Sequence, residues 1–166
     1  MKRVILGVDP GSRITGVAAL LLRDDGAAQL LKADVICIPK NLPFEEKLLF
    51  LKRSLMSWAQ EFSFKEMVVE KVFLGKNADS AFKLGHARGI CMLVAAELGA
   101  TVYEYAAKKV KKMITGSGNA SKEQVRFVLA QEFGPLSGFL DQSDALALAY
   151  CHWRYSQVNL QLERLL

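Results

Sequence analysis

The tightest constraint on the fold is one short run. Residues 4–8, Val-Ile-Leu-Gly-Val, carry no polar side chain, and the run stops at Asp9-Pro10-Gly11-Ser12. A strand apolar at every position has no face to offer water, so it is expected to be buried on both sides. The Asp-Pro-Gly-Ser punctuation reads as a turn. Residues 15–22 form a second apolar strand, ending in a turn at Asp24-Asp25-Gly26, and residues 29–38 a third, closed by Pro39. Short turns between consecutive strands imply an antiparallel meander.

Beyond Pro39 the period changes. Phe44, Leu48, Leu51, Leu55, Trp58 and Phe62 step by 4, 3, 4, 3 and 4, the apolar stripe of one helix. Residues 66–73 then read as a strand, 77–98 as a long helix with Gly99 as its C-cap, and 100–105 as a fifth strand. A short basic helix over 108–114 follows. Ser121-Lys122-Glu123-Gln124 is a capping box opening a helix to about residue 133, and Asp141-Gln142-Ser143-Asp144 starts the last helix. The order βββ-α-β-α-β-α-α predicts an α/β fold, a five-stranded mixed sheet flanked by helices. Residues 1–157 read as one domain, with 158–166 as a helical tail whose Val158, Leu162, Leu165 and Leu166 suit packing.

Composition narrows the class. The chain of 166 residues is 51% hydrophobic and 23% charged, which excludes a disordered protein. Its net charge of +5 permits a polyanionic partner without requiring one. Cys37, Cys91 and Cys151 are far apart, which argues against a disulfide framework or structural zinc, and each is expected to be a buried thiol. The apolar start breaks at Asp9, too early for a signal peptide, and no run approaches a membrane span, so a cytoplasmic location is expected.

Four carboxylates keep unusual company. Asp9 ends a buried strand, Glu70 interrupts a β-branched one, and Asp141 and Asp144 bracket the first turn of the last helix. Each has a plain alternative: a turn residue for Asp9, an N-cap for Asp141 with Asp144 favoured by the helix dipole, a solvent-facing position for Glu70. Together they suggest more. Sites in open α/β sheets form at the carboxyl ends of central strands, and a right-handed crossover would put strand four beside strand one. Hard oxygen donors without nearby His or Cys suit Mg²⁺ or Mn²⁺, and a carboxylate cluster of that kind suits two-metal phosphoryl transfer.

At these residues the chain resembles a known family. Gly7-Val8-Asp9-Pro10-Gly11-Ser12-Arg13-Ile14-Thr15-Gly16, the stretch Val69-Glu70-Lys71-Val72-Phe73-Leu74-Gly75-Lys76-Asn77-Ala78-Asp79-Ser80-Ala81, Leu84-Gly85-His86-Ala87-Arg88-Gly89, Glu104-Tyr105-Ala106-Ala107 and Asp141-Gln142-Ser143-Asp144-Ala145-Leu146-Ala147 are similar, in that order, to the motifs of RuvC, the bacterial Holliday junction resolvase. The resemblance covers residues 3–155. It implies an RNase H-like fold and a homodimeric, Mg²⁺-dependent endonuclease acting on four-way DNA junctions in recombination and repair. It also implies two Mg²⁺ per subunit, replaceable by Mn²⁺, and partnership with the RuvA–RuvB branch-migration complex. The family's metal-binding carboxylates map onto Asp9, Glu70, Asp141 and Asp144. Asp9 is expected to bridge both ions, Glu70 and Asp144 to complete their ligation, and Asp141 to ligate or orient one. His86 departs from the family's usual Gln.

For DNA, Lys108, Lys109, Lys111 and Lys112 put four lysines in five residues, followed by Lys122. They read as a solvated face or as a phosphate track. The resemblance favours phosphate for Lys111 and Lys122, and a base-stacking wedge for Phe73, which could otherwise be core. Lys76 and Arg13 are further phosphate candidates. The 77–98 helix carries more apolar surface than one sheet needs, so Phe82, His86, Arg88 and Ile90 are candidates for a two-fold dimer interface, the alternative being a fully buried helix. Two rival functions remain: a non-catalytic branched-DNA-binding protein on the same fold, and an actin-like phosphotransferase, for which 166 residues leave no room.

Overall fold

The computed structural model describes residues 3–71, 78–136 and 138–163, with side chains described as far as Val158. The strands are β1 (Arg3–Asp9), β2 (Ile14–Leu22), β3 (Ala28–Cys37), β4 (Glu66–Glu70) and β5 (Thr101–Tyr105), and the helices α1 (Phe44–Phe62), α2 (Ala78–Glu97), α3 (Ala107–Thr115), α4 (Lys122–Phe133) and α5 (Leu140–Glu163). The sheet order is β3-β2-β1-β4-β5. β1, β2 and β3 pair antiparallel, while β1–β4 and β4–β5 are parallel. The meander and the two crossovers are those expected from the pattern.

Strand alternation sorts the core into two layers. Leu6, Val8, Val17, Ala19, Met67 and Val69 face one cluster, closed by α1 and α2. Ile5, Ala18, Leu20 and Val68 face the other, closed by α3, α4 and α5. This explains why residues 4–8 lack a polar face: β1 is the central strand of a three-layer sandwich. The turn after β2 closes at Asp25-Gly26, with Gly26 at φ +83°, and Gly99 follows α2 at φ +60°. At α4 the Ser121 side chain accepts the Gln124 N–H while Gln124 reaches back to the Ser121 N–H, the capping box read from the sequence.

Two expectations change. Cys91 and Cys151 are buried, but Cys37 is exposed. It ends β3, an edge strand, and there Ile36 takes the core face while Cys37 takes the uncovered one. Strand β4 is shorter than 66–73: its ladder stops at Glu70, which pairs with Tyr105. Glu70 therefore stands at the strand tip rather than inside it. Helix α5 runs unbroken to Glu163, so the described part of the expected helical tail continues the last helix, with Val158 exposed.

Candidate active site

Register brings the first two carboxylates together. β1 and β4 run parallel with Val8 beside Val69, so Asp9 and Glu70 are the next residues on adjacent strands. Parity then turns both to one face. Ile5 and Val68 belong to the α5 layer, and Asp9 and Glu70 lie an even number of residues further on. Both acids therefore emerge at the carboxyl end of the sheet under α5.

Helix α5 reaches them because two strand residues have no side chain. A Cβ on Gly7 would lie 2.0 Å from the Ala145 carbonyl oxygen, and one on Gly16 would lie 1.9 Å from that of Asp141. The helix backbone thus rests directly on β1 and β2, with its acidic first turns over Asp9. Asp141 falls inside the first turn rather than at the cap, because α5 begins at Leu140. Asp144 follows three residues later on the same side.

A cavity of about 170 Å³ opens here, walled by Asp9, Glu70, Asp144, Lys111 and Lys122 over an apolar floor that includes Val110 and Ala147. Asp141 does not line it, although its charge is felt at Asp9. Burial first, then the charges of Asp144 and Glu70, push the Asp9 carboxyl up to about 7. Glu70 is also raised, by burial and then by Asp144. Lys122 donates a hydrogen bond to the Asp144 carboxylate. Burial works against its ammonium, but that bond and the charges of Asp144, Asp9 and Asp141 outweigh burial and hold its pKa above the ordinary lysine range.

This electrostatic arrangement fits a hard divalent cation. The donors are carboxylate oxygens, and burial, with their mutual repulsion added to it, raises the Asp9 carboxyl to about 7. Among the described residues, the ammonium of Lys122 relieves Asp9 and Glu70, and that of Lys111 also relieves Glu70. Among the described residues no three of His, Cys, Asp or Glu close into one coordination sphere. Asp9, Glu70 and Asp144, the carboxylates of the cavity wall, are the candidates for holding a cation, and Asp141 stands outside that wall.

The lysine run divides. Lys111 faces the cavity, whereas Lys109 lies over the rings of Tyr105 (5.2 Å) and Tyr155 (4.2 Å). Lys108 and Lys112 are on α3, and Arg13 is exposed in the turn after β1. Phe73 and Lys76 lie outside the described residues. On α2, Phe82 (70% exposed) and His86 stand on the surface, where the His86 ring meets Phe44 edge-on. Ile90 packs against the α1/α2 core cluster, and Arg88 pairs with Glu104. Gly7 and Gly16 are visible in the sequence only as parts of a motif; their role in seating α5 is not. A glycine on the buried face of an apolar strand is the signal that marks it.

Acids concentrated in this way at the carboxyl edge of a central strand pair, with lysines facing them, make a centre for metal-assisted hydrolysis of phosphodiesters on an RNase H-like sheet. The family model described as crossover junction endodeoxyribonuclease RuvC matches residues 5–152. The chain therefore belongs to the RuvC family. It is 44% identical over 153 residues to the enzyme of that description from Bdellovibrio bacteriovorus, covering 92% of this chain and 90% of the relative. Against the one from Methylococcus capsulatus it is 41% identical, covering 97% and 96%. Among solved structures, Thermus thermophilus RuvC in complex with Holliday junction substrate aligns with a TM-score of 0.87 at 27% identity, covering 95% of this chain and 96% of that one. The yeast mitochondrial Holliday junction resolvase Ydc2 shares the fold, with a TM-score of 0.68 at 12% identity. No helix among the described residues is long and apolar enough to cross a membrane.

Proposed function

We propose that this chain is a structure-selective DNA endonuclease that resolves four-way junctions by paired nicks, leaving 5′-phosphate and 3′-hydroxyl ends. The observation that carries this reading is the register-matched pair Asp9 and Glu70 beneath Asp144, facing Lys111 and Lys122 in one cavity. Two bound Mg²⁺, or Mn²⁺ in their place, would supply a water nucleophile at neutral pH and charge stabilisation for the leaving 3′-oxygen. The chain's own residues do the rest. Asp9, Glu70 and Asp144 would hold the two ions, and Asp141 would ligate or orient one. Lys111 and Lys122 meet the phosphates flanking the scissile bond as point charges, which hold the backbone without reading bases. Lys108 and Lys112 extend that track along α3; Arg13 and Lys76 serve as further phosphate contacts and Phe73 as the base-stacking wedge on family resemblance.

Paired nicks need two centres related by a two-fold axis. The exposed side of α2 supports a homodimer. Phe82 and Leu93 are exposed there, and a Cβ on Gly85 or Gly89 would meet nothing within 4 Å. Two such helices can approach backbone to backbone, in an isologous contact. The RuvA–RuvB branch-migration complex and a cytoplasmic setting complete the reading on family resemblance.

The test is a synthetic four-way junction against a linear duplex of the same sequence, with and without Mg²⁺, on a denaturing gel. Symmetric nicks in the junction alone, and only with Mg²⁺, are expected. A junction bound but uncut in both Mg²⁺ and Mn²⁺ would favour a non-catalytic branched-DNA-binding protein.

A further inference from the structure

A second polar cluster lies away from the carboxylate cavity. Glu66 begins β4. It receives hydrogen bonds from both edges of the Arg3 guanidinium, Nε to Oε1 at 2.8 Å and an Nη to Oε2 at 3.0 Å. His152 of α5 is 5% exposed, and its Nε2 lies 3.2 Å from Glu66 Oε2. Its Nδ1 lies 2.8 Å from the Tyr105 hydroxyl, and Tyr103 stacks on the ring at 4.0 Å between centroids. Burial works to raise Glu66, but the hydrogen bonds from His152 and Arg3 prevail and bring it to about 2. It is therefore an acceptor only. Burial leads the causes that push Tyr105 up to about 12, so its hydroxyl keeps its proton to donate. Because the Glu66 carboxylate can only accept, the Nε2–H of His152 donates to it, while Nδ1 pairs with the Tyr105 hydroxyl.

The membership of this cluster repeats that of the cavity. Arg3 is on β1, which ends in Asp9, and Glu66 is on β4, which ends in Glu70. His152 is on α5, which carries Asp144. The cluster sits roughly 20 Å from the acid along β1, about 13 Å along β4 and about 12 Å along α5, from the rise per residue of each element. The Arg3–Glu66 ion pair ties β1 to β4, and the hydrogen bond from His152 ties α5 to that same carboxylate, which adds a directional contact to the packing of the helix on the sheet.

We propose that His152 is a positioning residue: with Arg3 and Glu66 it clamps the three carboxylate-bearing elements in register, so that Asp9, Glu70 and Asp144 present a common set of oxygens to the cation. This rests on the metal reading of the cavity above. None of the three touches a carboxylate of the cavity, so they act only through the placement of their elements, and changes at such a distance shift binding by about 2- to 30-fold.

The experiment measures Mn²⁺ binding to DNA-free protein by the EPR signal of the free aquo ion, alongside junction affinity in EDTA. His152→Leu is expected to weaken Mn²⁺ binding by about threefold or more while leaving junction affinity near that of the wild type. His152→Gln, whose amide can donate from the Nε2 position, is expected to retain most of the affinity. If His152→Leu does not fold by circular dichroism, Glu66→Gln carries the test, with a smaller loss in the same direction. Wild-type Mn²⁺ affinity in a folded His152→Leu or Glu66→Gln variant would overturn the clamp. So would a parallel loss of Mn²⁺ and junction binding, or a His152→Gln variant as weak as His152→Leu. If the wild-type protein itself binds no Mn²⁺, the metal reading fails, and the clamp falls with it.

Discussion

Replacing Gly16 by alanine adds one methyl group to a strand and should disable a nuclease. The new Cβ would stand 1.9 Å from the Asp141 carbonyl oxygen and 2.6 Å from its carbonyl carbon, both backbone atoms of α5. Contacts below 3.0 Å are essentially never adopted by a real Cβ, so helix and strand must part by about 1 Å or more at this point. A rotamer change cannot relieve a clash with backbone; α5 itself has to lift, carrying Asp141 and Asp144 with it. Misplacing catalytic groups by about 1 Å costs on the order of 10²-fold in rate. Overpacking of this kind also costs about 1–3 kcal/mol of stability. The expected result is a folded Gly16→Ala protein with a modestly lowered Tm, near-normal junction affinity in EDTA, and single-turnover cleavage about 100-fold slower. Gly7→Ala, 2.0 Å from the Ala145 oxygen, should behave alike. Cleavage near the wild-type rate, in a protein whose Tm has not moved, would refute the claim that the seating of α5 sets the site.

Other expectations follow from the charges. The Asp9 carboxyl is raised to about 7 in the fold from an ordinary 3.8, so the metal-free fold binds more protons than the unfolded chain between those values. Stability from this group is present at low pH, declines as pH rises from about 4 to about 7, and is flat above. Asp9→Asn should therefore raise the Tm of metal-free protein at pH 8, by up to about 4 kcal/mol of stability, and have little effect near pH 4. Thermal melts in EDTA at the two pH values check it. Lys122→Met removes the ammonium that meets Asp144, so Tm in EDTA should fall and the Mg²⁺-induced rise should exceed that of wild type. Equal Mg²⁺ responses would show that Lys122 does not act as the counter-charge. Phe82→Glu places a charge on the exposed side of α2 and should shift the protein from dimer to monomer in sedimentation, with junction cleavage lost and the monomer fold retained.

In the sequence, β1 and its acid are legible because being buried on both faces leaves a direct mark: no polar side chain occurs between Arg3 and Asp9. The α1 stripe and the Ser121 capping box are equally local signals, and both hold in the fold. What escapes is long-range and specific. Nothing near Gly16 in sequence shows that a distant helix will press the Asp141 carbonyl there. The lysine run looks uniform along the chain, yet helical rotation sends Lys111 to the carboxylates and Lys109 to Tyr105 and Tyr155. Lys122 is expected from sequence to serve phosphate; its hydrogen bond to Asp144 depends on α4 packing against α5. His152 carries no local signal within its apolar helix, because its partners come from β4 and β5. Cys37 misleads for a simpler reason: a small apolar residue at the end of an edge strand has the same sequence surroundings as a buried one.

The central claim is that Asp9 and Glu70 act in the chemistry and not in holding the junction. Single-turnover cleavage and junction affinity, measured side by side for Asp9→Asn and Glu70→Gln, test it directly. Both substitutions preserve shape and remove charge. The account predicts that each variant binds the four-way junction at least as tightly as wild type in EDTA and gives no Mg²⁺-dependent cleavage. Cleavage by either variant at the wild-type rate would contradict it.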